Sequence, residues 1–270
     1  MSNDPIRRFT AKNRIAWEEV NPYHQQAKQQ IKERFRNESG FLALDPHLQA
    51  RLQEIDITGK SILHLMCNDG EELISTMRMG AGGGMGIDIS STAIRSATEL
   101  VDQLDIKNVK FKQSDAYDVD DSLLENTRFD VAMTTVGALC WLPDLPLFFS
   151  RLNSFLKDNA SILIHEIHPL IYLLDDNMKI RPEADYFDEK PFVEKGDLDY
   201  LGNAEYDGAE HVEFPYTLAK ILQVLLQTGF TLRAFYEYPN DHGNLFNREV
   251  DANPSIPLSF SIIAEKTASG

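Results

Sequence analysis

Cysteine is scarce in this chain. Cys67 and Cys140 are the two in 270 residues, both in apolar stretches and without metal-ligand spacing. That pattern points to reduced thiols in a cytosol rather than to a disulfide framework. Positive charge is also in short supply: 26 Lys plus Arg face 42 Asp plus Glu, a formal net charge of -16. Such a field opposes binding to nucleic-acid backbones or anionic membranes, so neither is expected as a partner. No apolar stretch reaches membrane-spanning length. Residues 2–14, SNDPIRRFTAKNR, hold no apolar run, so no signal peptide is expected and the cytoplasm is the expected location. There is no evident internal repeat or low-complexity tract.

What remains is the composition of a folded protein, with 43% hydrophobic and 25% charged residues. The length sits near the upper limit of one domain, so a single core with an insertion or an N-terminal extension is expected. Residues 1–58 read as a polar helical cap or arm, anchored by Ile15, Trp17, Val20, Ile31 and Phe35, with a break at Asn21-Pro22. Residues 59–168 alternate strands and helices. Apolar runs at Ile62 to Met66, Met85 to Ile89, Val109 to Lys112, Phe129 to Thr134 and Ile162 to Ile164 are the strands. A helix carrying Leu147, Phe148, Leu152, Phe155 and Leu156 precedes the last of them. Residues 169–215 interrupt the alternation, too long a stretch for an ordinary connection, and read as a lid or substrate module. Residues 216–270 resume the core with a helix ended by Gly229 and strands at Thr231 to Tyr238 and Leu258 to Glu265. Alternation of this kind implies a parallel sheet covered on both faces, with its ligand beyond the C-terminal strand ends.

The strongest constellation is a strand, the loop Cys67-Asn68-Asp69-Gly70-Glu71, a helix, and a strand ending in Asp88. One glycine lets the backbone approach a ligand, and an acid at the next strand tip can accept from two ribose hydroxyls. A dinucleotide site would need three spaced glycines in that first turn. The loop lacks them, so a nucleoside without phosphates is expected. The glycines from Gly80 to Gly86 precede the second strand and read as a turn entering it.

These segments resemble the class I S-adenosylmethionine (SAM)-dependent methyltransferases, from about Lys60 to Ile164 and more weakly to Glu265. KSILHLMCNDGEEL is similar to their first motif in its LHLxC-N-x-G form, with Cys67 where a glycine is usual; GMGIDIS resembles the second motif, QSDAYDV the third and FDVAMTTVGALCWLPDL the fourth. The resemblance implies an α/β fold: a Rossmann-like, seven-stranded, mostly parallel sheet with helices on both faces, the last strand antiparallel, an N-terminal helical cap and an insertion after strand 5. It implies SAM as cofactor, S-adenosyl-L-homocysteine as product, and a small-molecule substrate. The implied cofactor shell is Tyr23, Cys67, Asn68, Gly70, Asp88 and Ile89, then Ser114, Asp115 and Ala116, then Thr135, Val136 and Gly137. Asp88 would hold the ribose, Asp115 and Ala116 the adenine, and 135–137 the methionine portion, over which Tyr23 and Trp17 would close as arms; a packing anchor is the alternative role of Trp17. The residues alone also admit Asp88 as a helix cap, Asp115 as a turn residue and Cys67 as an apolar filler.

Methyl transfer from a sulfonium is an in-line displacement, so alignment, exclusion of water and, for a protonated nucleophile, a base are what the protein supplies. Glu166 and His168, on one face of the strand end HEIHP, are the candidates for proton removal; hydrogen bonding to the lid is their alternative role. Trp141, Tyr172 and His242 are the substrate candidates. The insertion carries 13 Asp or Glu against four Lys or Arg, together with Tyr172, Tyr186, Phe187, Phe192, Tyr200, Tyr206 and Phe214. Acids mixed with aromatics suit an amine acceptor, N- or O-methylation being the expected reaction class. A solvated acidic loop is the blander reading. No metal site is expected, because no third ligand has suitable spacing to His165 and His168. A SAM-binding regulatory or catalytically degenerate protein is the alternative function.

Overall fold

A computed structural model of the chain describes residues 4–196, 198–199, 207–246 and 255–267. Strand β1 (Ser61–Leu65) sits inside a seven-stranded sheet and is buried on both faces, which is why it is written as an unbroken apolar run. Ile62 faces one core cluster, while Leu63 and Leu65 face the other. Strands β2 (Gly83–Asp88), β3 (Val109–Gln113), β4 (Phe129–Thr134) and β5 (Leu156–Ile167) are parallel to it.

The insertion forms a separate hairpin of β6 (Phe192–Lys195) and β7 (Glu210–Glu213). The chain then returns through β8 (Phe230–Tyr238) and β9 (Ser259–Lys266). The strand order is β3-β2-β1-β4-β5-β9-β8, and β9 runs antiparallel to both its neighbours. The sheet and its one reversed strand are therefore those the resemblance implied.

Helices α1 (Pro5–Ala27), α2 (Gln29–Asn37) and α3 (Pro46–Ile55) precede the sheet; α4 (Glu71–Arg78), α5 (Ser91–Gln103), α6 (Leu145–Ser154) and α7 (Leu218–Gln227) connect its strands. Their starts are chemically marked. Asp45, Ser90, Asp144 and Thr217 each accept a backbone N–H of the following turn through the side chain.

Three expectations are corrected. Asn21-Pro22 does not break α1, which continues to Ala27; burial of Val20, Asn21 and His24 against the rest of the molecule outweighs the roughly 3 kcal/mol that an interior proline costs. Leu156 belongs to β5 rather than to the preceding helix, whose last residue is Ser154. Gly83 and Gly84, read as a turn before the second strand, lie in β2 itself, as Gly86 does within the run Met85 to Ile89. At Gly86 a Cβ would stand 2.4 Å from the Phe111 ring and 2.8 Å from Cys67 Sγ, so β3 and the loop after β1 already fill that space.

Candidate active site

Beyond the C-terminal ends of β1 to β4 lies a cavity of about 650 Å³, of the size that takes small molecules. Its floor is the loop after β1. Met66 and Asn68 adopt φ of 61° and 48°, and Gly70 one of 70°. The strained positions therefore flank Cys67, which lines the cavity without sharing that conformation. Its buried thiol packs against Gly86, and burial raises its pKa, so it behaves as an apolar filler. At Gly70 a Cβ would lie 2.3 Å from the Phe111 ring, so the loop can turn there only without a side chain.

Asp88 ends β2 on the cavity wall, with Oδ2 accepting the Asn68 N–H (2.8 Å) and Oδ1 that of Ser90 (2.9 Å). Burial pushes its carboxyl up to about 6 against the pull of those two bonds. Ser90, not Asp88, caps α5. Asp115 closes a turn by accepting the Tyr117 N–H (3.0 Å), and it too lines the cavity, as do Ile89, Ser114 and Ala116. On the β4 side, Thr135, Val136 and Gly137 complete the wall.

Two buried ionic groups surround the loop. Asp69 accepts from Lys28 Nζ (2.9 Å) and from Gln25, and Glu71 lies 3.4 Å from the same ammonium. Burial would raise Asp69, but Lys28 and Gln25 outweigh it and hold the carboxyl below its ordinary range; burial wins at Glu71. Nearby, Thr135 donates to Glu72 (2.5 Å), and Thr135 Oγ1 lies 3.0 Å from His64 Nε2. Burial lifts Glu72 to about 7 and drops His64 to about 3. The imidazole is neutral at physiological pH.

The roof is α1, which contributes Thr10, Asn13, Trp17 and Asn21 at helical spacing. Asn13 exchanges two hydrogen bonds with Val212 of β7 (2.7 and 2.9 Å), tying roof to insertion. Tyr23 is on the other face of α1, 39% exposed and away from the cavity lining, so its placement against the cofactor is corrected. Trp17 does line the cavity, its ring 5.3 Å from that of Trp141 in edge contact.

Glu166 and His168 also stand apart from the cavity lining. The Glu166 carboxylate accepts the backbone N–H groups of Gly137, Ala138, Leu139 and Ile167 at 2.5 to 2.9 Å. Every face of that carboxylate is engaged in holding the loop after β4, which corrects its assignment to proton removal. His168 accepts the Leu170 N–H and lies 3.1 Å from Glu237, so it caps the turn that follows β5. Trp141, Tyr172 and His242 do line the cavity. Tyr172 donates to Glu213 (3.3 Å). Tyr200 and Tyr206 lie outside the described residues. Of the other aromatics, Phe187 is exposed, Tyr186 accepts the Leu218 N–H and Phe214 packs on Phe9, so these serve as anchors or solvent-facing groups.

Lys28, Asp45, Glu72 and Glu213 were missed in the sequence. Glu72 in a first helical turn reads as an ordinary partner of the helix dipole, and Lys28 as a solvated charge.

No curated protein matches the chain by sequence. Several solved structures share its fold. A SAM-dependent methyltransferase from Mesorhizobium loti is 18% identical over 80% of this chain and 96% of its own, with a TM-score of 0.60. One from Clostridium acetobutylicum is 13% identical over 92% and 99%, also at 0.60, and one from Methanosarcina mazei is 21% identical over 84% and 100%, at 0.57. The family of methyltransferase domains matches residues 56–205, more than half of the chain and all of the loop and strand tips just described. The chain belongs to that family and is a class I SAM-dependent methyltransferase.

Proposed function

We propose that this enzyme works in the cytoplasm on a small-molecule nitrogen or oxygen acceptor, with amines as the favoured class. The observation that carries the reading is the charge of the cavity wall. Asp45, Asp69, Glu71, Glu72, Asp88, Asp115 and Glu213 line it, against Lys28 and Arg34. Such a wall favours cationic ligands and disfavours anionic acceptors. Beside Trp141 and Tyr172, Glu213 offers a carboxylate among aromatic rings, the chemistry that holds an ammonium group. The two free cysteines agree with a reducing compartment.

The cavity residues fit the cofactor. Glu71 Oε1 is buried without a hydrogen-bond partner, an acceptor suited to a cationic, donor-bearing ligand. Asp88 would hold the ribose hydroxyls and Asp115 with Ala116 the adenine; the 67–70 loop and Thr135 to Gly137 would flank the methionine portion. When bound, SAM supplies a methyl group on a positively charged sulfur. The chain supplies alignment and dryness: α1 and the insertion cover the cavity, and Glu213 with Tyr172 orients the acceptor so that its lone pair faces the methyl carbon.

The structural engagement of Glu166 and His168 is what favours a second reading, a SAM-binding protein without transfer. Labelled SAM supplied with parallel panels of amines and alcohols separates the two. Labelled amines support the proposal; labelled alcohols alone overturn the amine class; binding without any product favours the second reading. Glu213→Gln is expected to raise KM for an amine about tenfold, the loss of one charge-assisted hydrogen bond.

A further inference from the structure

Asp45, from the turn before α3, His165, from the inner end of β5, and His242, from the turn after β8, converge at one edge of the cavity. Their nearest ligand atoms all lie within 4.8 Å of one another. His165 Nε2 is 2.9 Å from Asp45 Oδ2, and His242 Nε2 is 3.6 Å from Asp45 Oδ1. We propose that these three side chains bind a divalent transition-metal ion, with Zn²⁺ the best match to the donor set.

Two imidazole nitrogens and one carboxylate oxygen are the mixed donors that such ions prefer over Ca²⁺ or Mg²⁺. Tetrahedral zinc with bonds of about 2.0 to 2.1 Å places neighbouring ligand atoms about 3.3 Å apart, and the 2.9 Å from His165 Nε2 to Asp45 Oδ2 is near that spacing. Both Nε2 atoms are buried, and neither makes an aligned hydrogen bond, despite the short approach of His165 to Asp45. His165 is completely buried. If its Nδ1 donates to Ser261 Oγ at 2.7 Å, Nε2 presents its lone pair to a carboxylate oxygen, an arrangement that a cation between them relieves.

The supporting contacts are those of a metal centre. Ser261 orients the ring of His165, and the N–H groups of His47 and Leu48 hold Asp45 Oδ1 (2.8 and 3.1 Å), leaving Oδ2 for the ion. Three protein ligands leave one position open, and Asp45 and His242 line the cavity. A water, or an oxygen of the acceptor, would complete the coordination from that side. The site uses none of the residues assigned to the cofactor, so it stands independently of the acceptor class.

The test is zinc titration of untagged, chelator-treated protein by competition with a chromophoric chelator, together with Co²⁺ substitution. Asp45→Asn keeps a side-chain cap for α3 while removing the charge, and His242→Ala removes a ligand from a turn. One zinc per chain, a rise in the unfolding midpoint on zinc addition, and visible ligand-field absorption with Co²⁺ are expected in the wild type. Each variant should weaken zinc binding about tenfold or more, with its metal-free unfolding midpoint reported alongside. Absence of stoichiometric binding by the wild type overturns the site. So does wild-type affinity retained in both variants, which would show that the zinc is held by other residues.

Discussion

His64 and Glu72 lie 3.6 Å apart with opposite responses to burial, so they pull the stability of the protein in opposite directions with pH. For His64 the folded pKa of about 3 lies below the ordinary 6.5. Between those values the unfolded chain takes up the proton and stability falls as pH falls. For Glu72 the folded value of about 7 lies above the ordinary 4.5. The folded state therefore holds that proton, and its stabilising contribution is lost as pH rises through 7. Glu72→Gln, which can still accept from Thr135, should make stability increase more steeply from pH 5 to pH 7 than in the wild type. Urea unfolding at the two pH values measures this; an unchanged slope would remove Glu72 from the titration. Asp88 is the other decisive side chain. Asp88→Ala should weaken SAM binding by about 1 to 3 kcal/mol, the cost of unpaired buried hydroxyls, as read by calorimetry. Unaltered affinity would separate Asp88 from the cofactor.

At the scale of elements, the loop after β4 is held by β5 through Glu166. Glu166→Ala leaves the N–H groups of Gly137, Ala138 and Leu139 without an acceptor. A stability loss of about 3 kcal/mol is expected, with faster hydrogen exchange at those three amides. A base that merely removed a proton would leave both unchanged on substitution. The packing of β2 against β3 makes a second case. Gly86→Ala drives a methyl group into the Phe111 ring and Cys67 and should cost about 1 to 3 kcal/mol by denaturant unfolding. The strands themselves were legible in the chain because parallel strands buried on both faces must be apolar throughout: the run at Ile62 to Met66 differs from β1 by one residue at each end. The continuity of α1 through Pro22 was not legible in the same way, since local proline chemistry gives no measure of the burial that keeps the helix intact.

The whole molecule closes its cavity by bringing the first helix against the insertion, residues separated by 199 positions in the case of Asn13 and Val212. Asn13→Ala should strand the Val212 N–H and C=O and destabilise this junction by about 1 to 3 kcal/mol. Hydrogen exchange would show it as faster exchange at the Val212 amide, with the β1 and β4 amides unaffected. By its own order of residues, the chain determined the strand–loop–helix alternation, the position of the loop at Cys67 to Gly70 and the acids at Asp88 and Asp115, because these depend on hydrophobic periodicity and on groups close in sequence. Tertiary structure alone decided that Lys28 reaches Asp69, that Trp17 rather than Tyr23 faces the cavity, that Glu166 holds a loop, and that Asp45 meets His165 and His242. Those outcomes depend on which faces and turns the folded sheet brings together, and spacing along the chain carries no record of that distance in space.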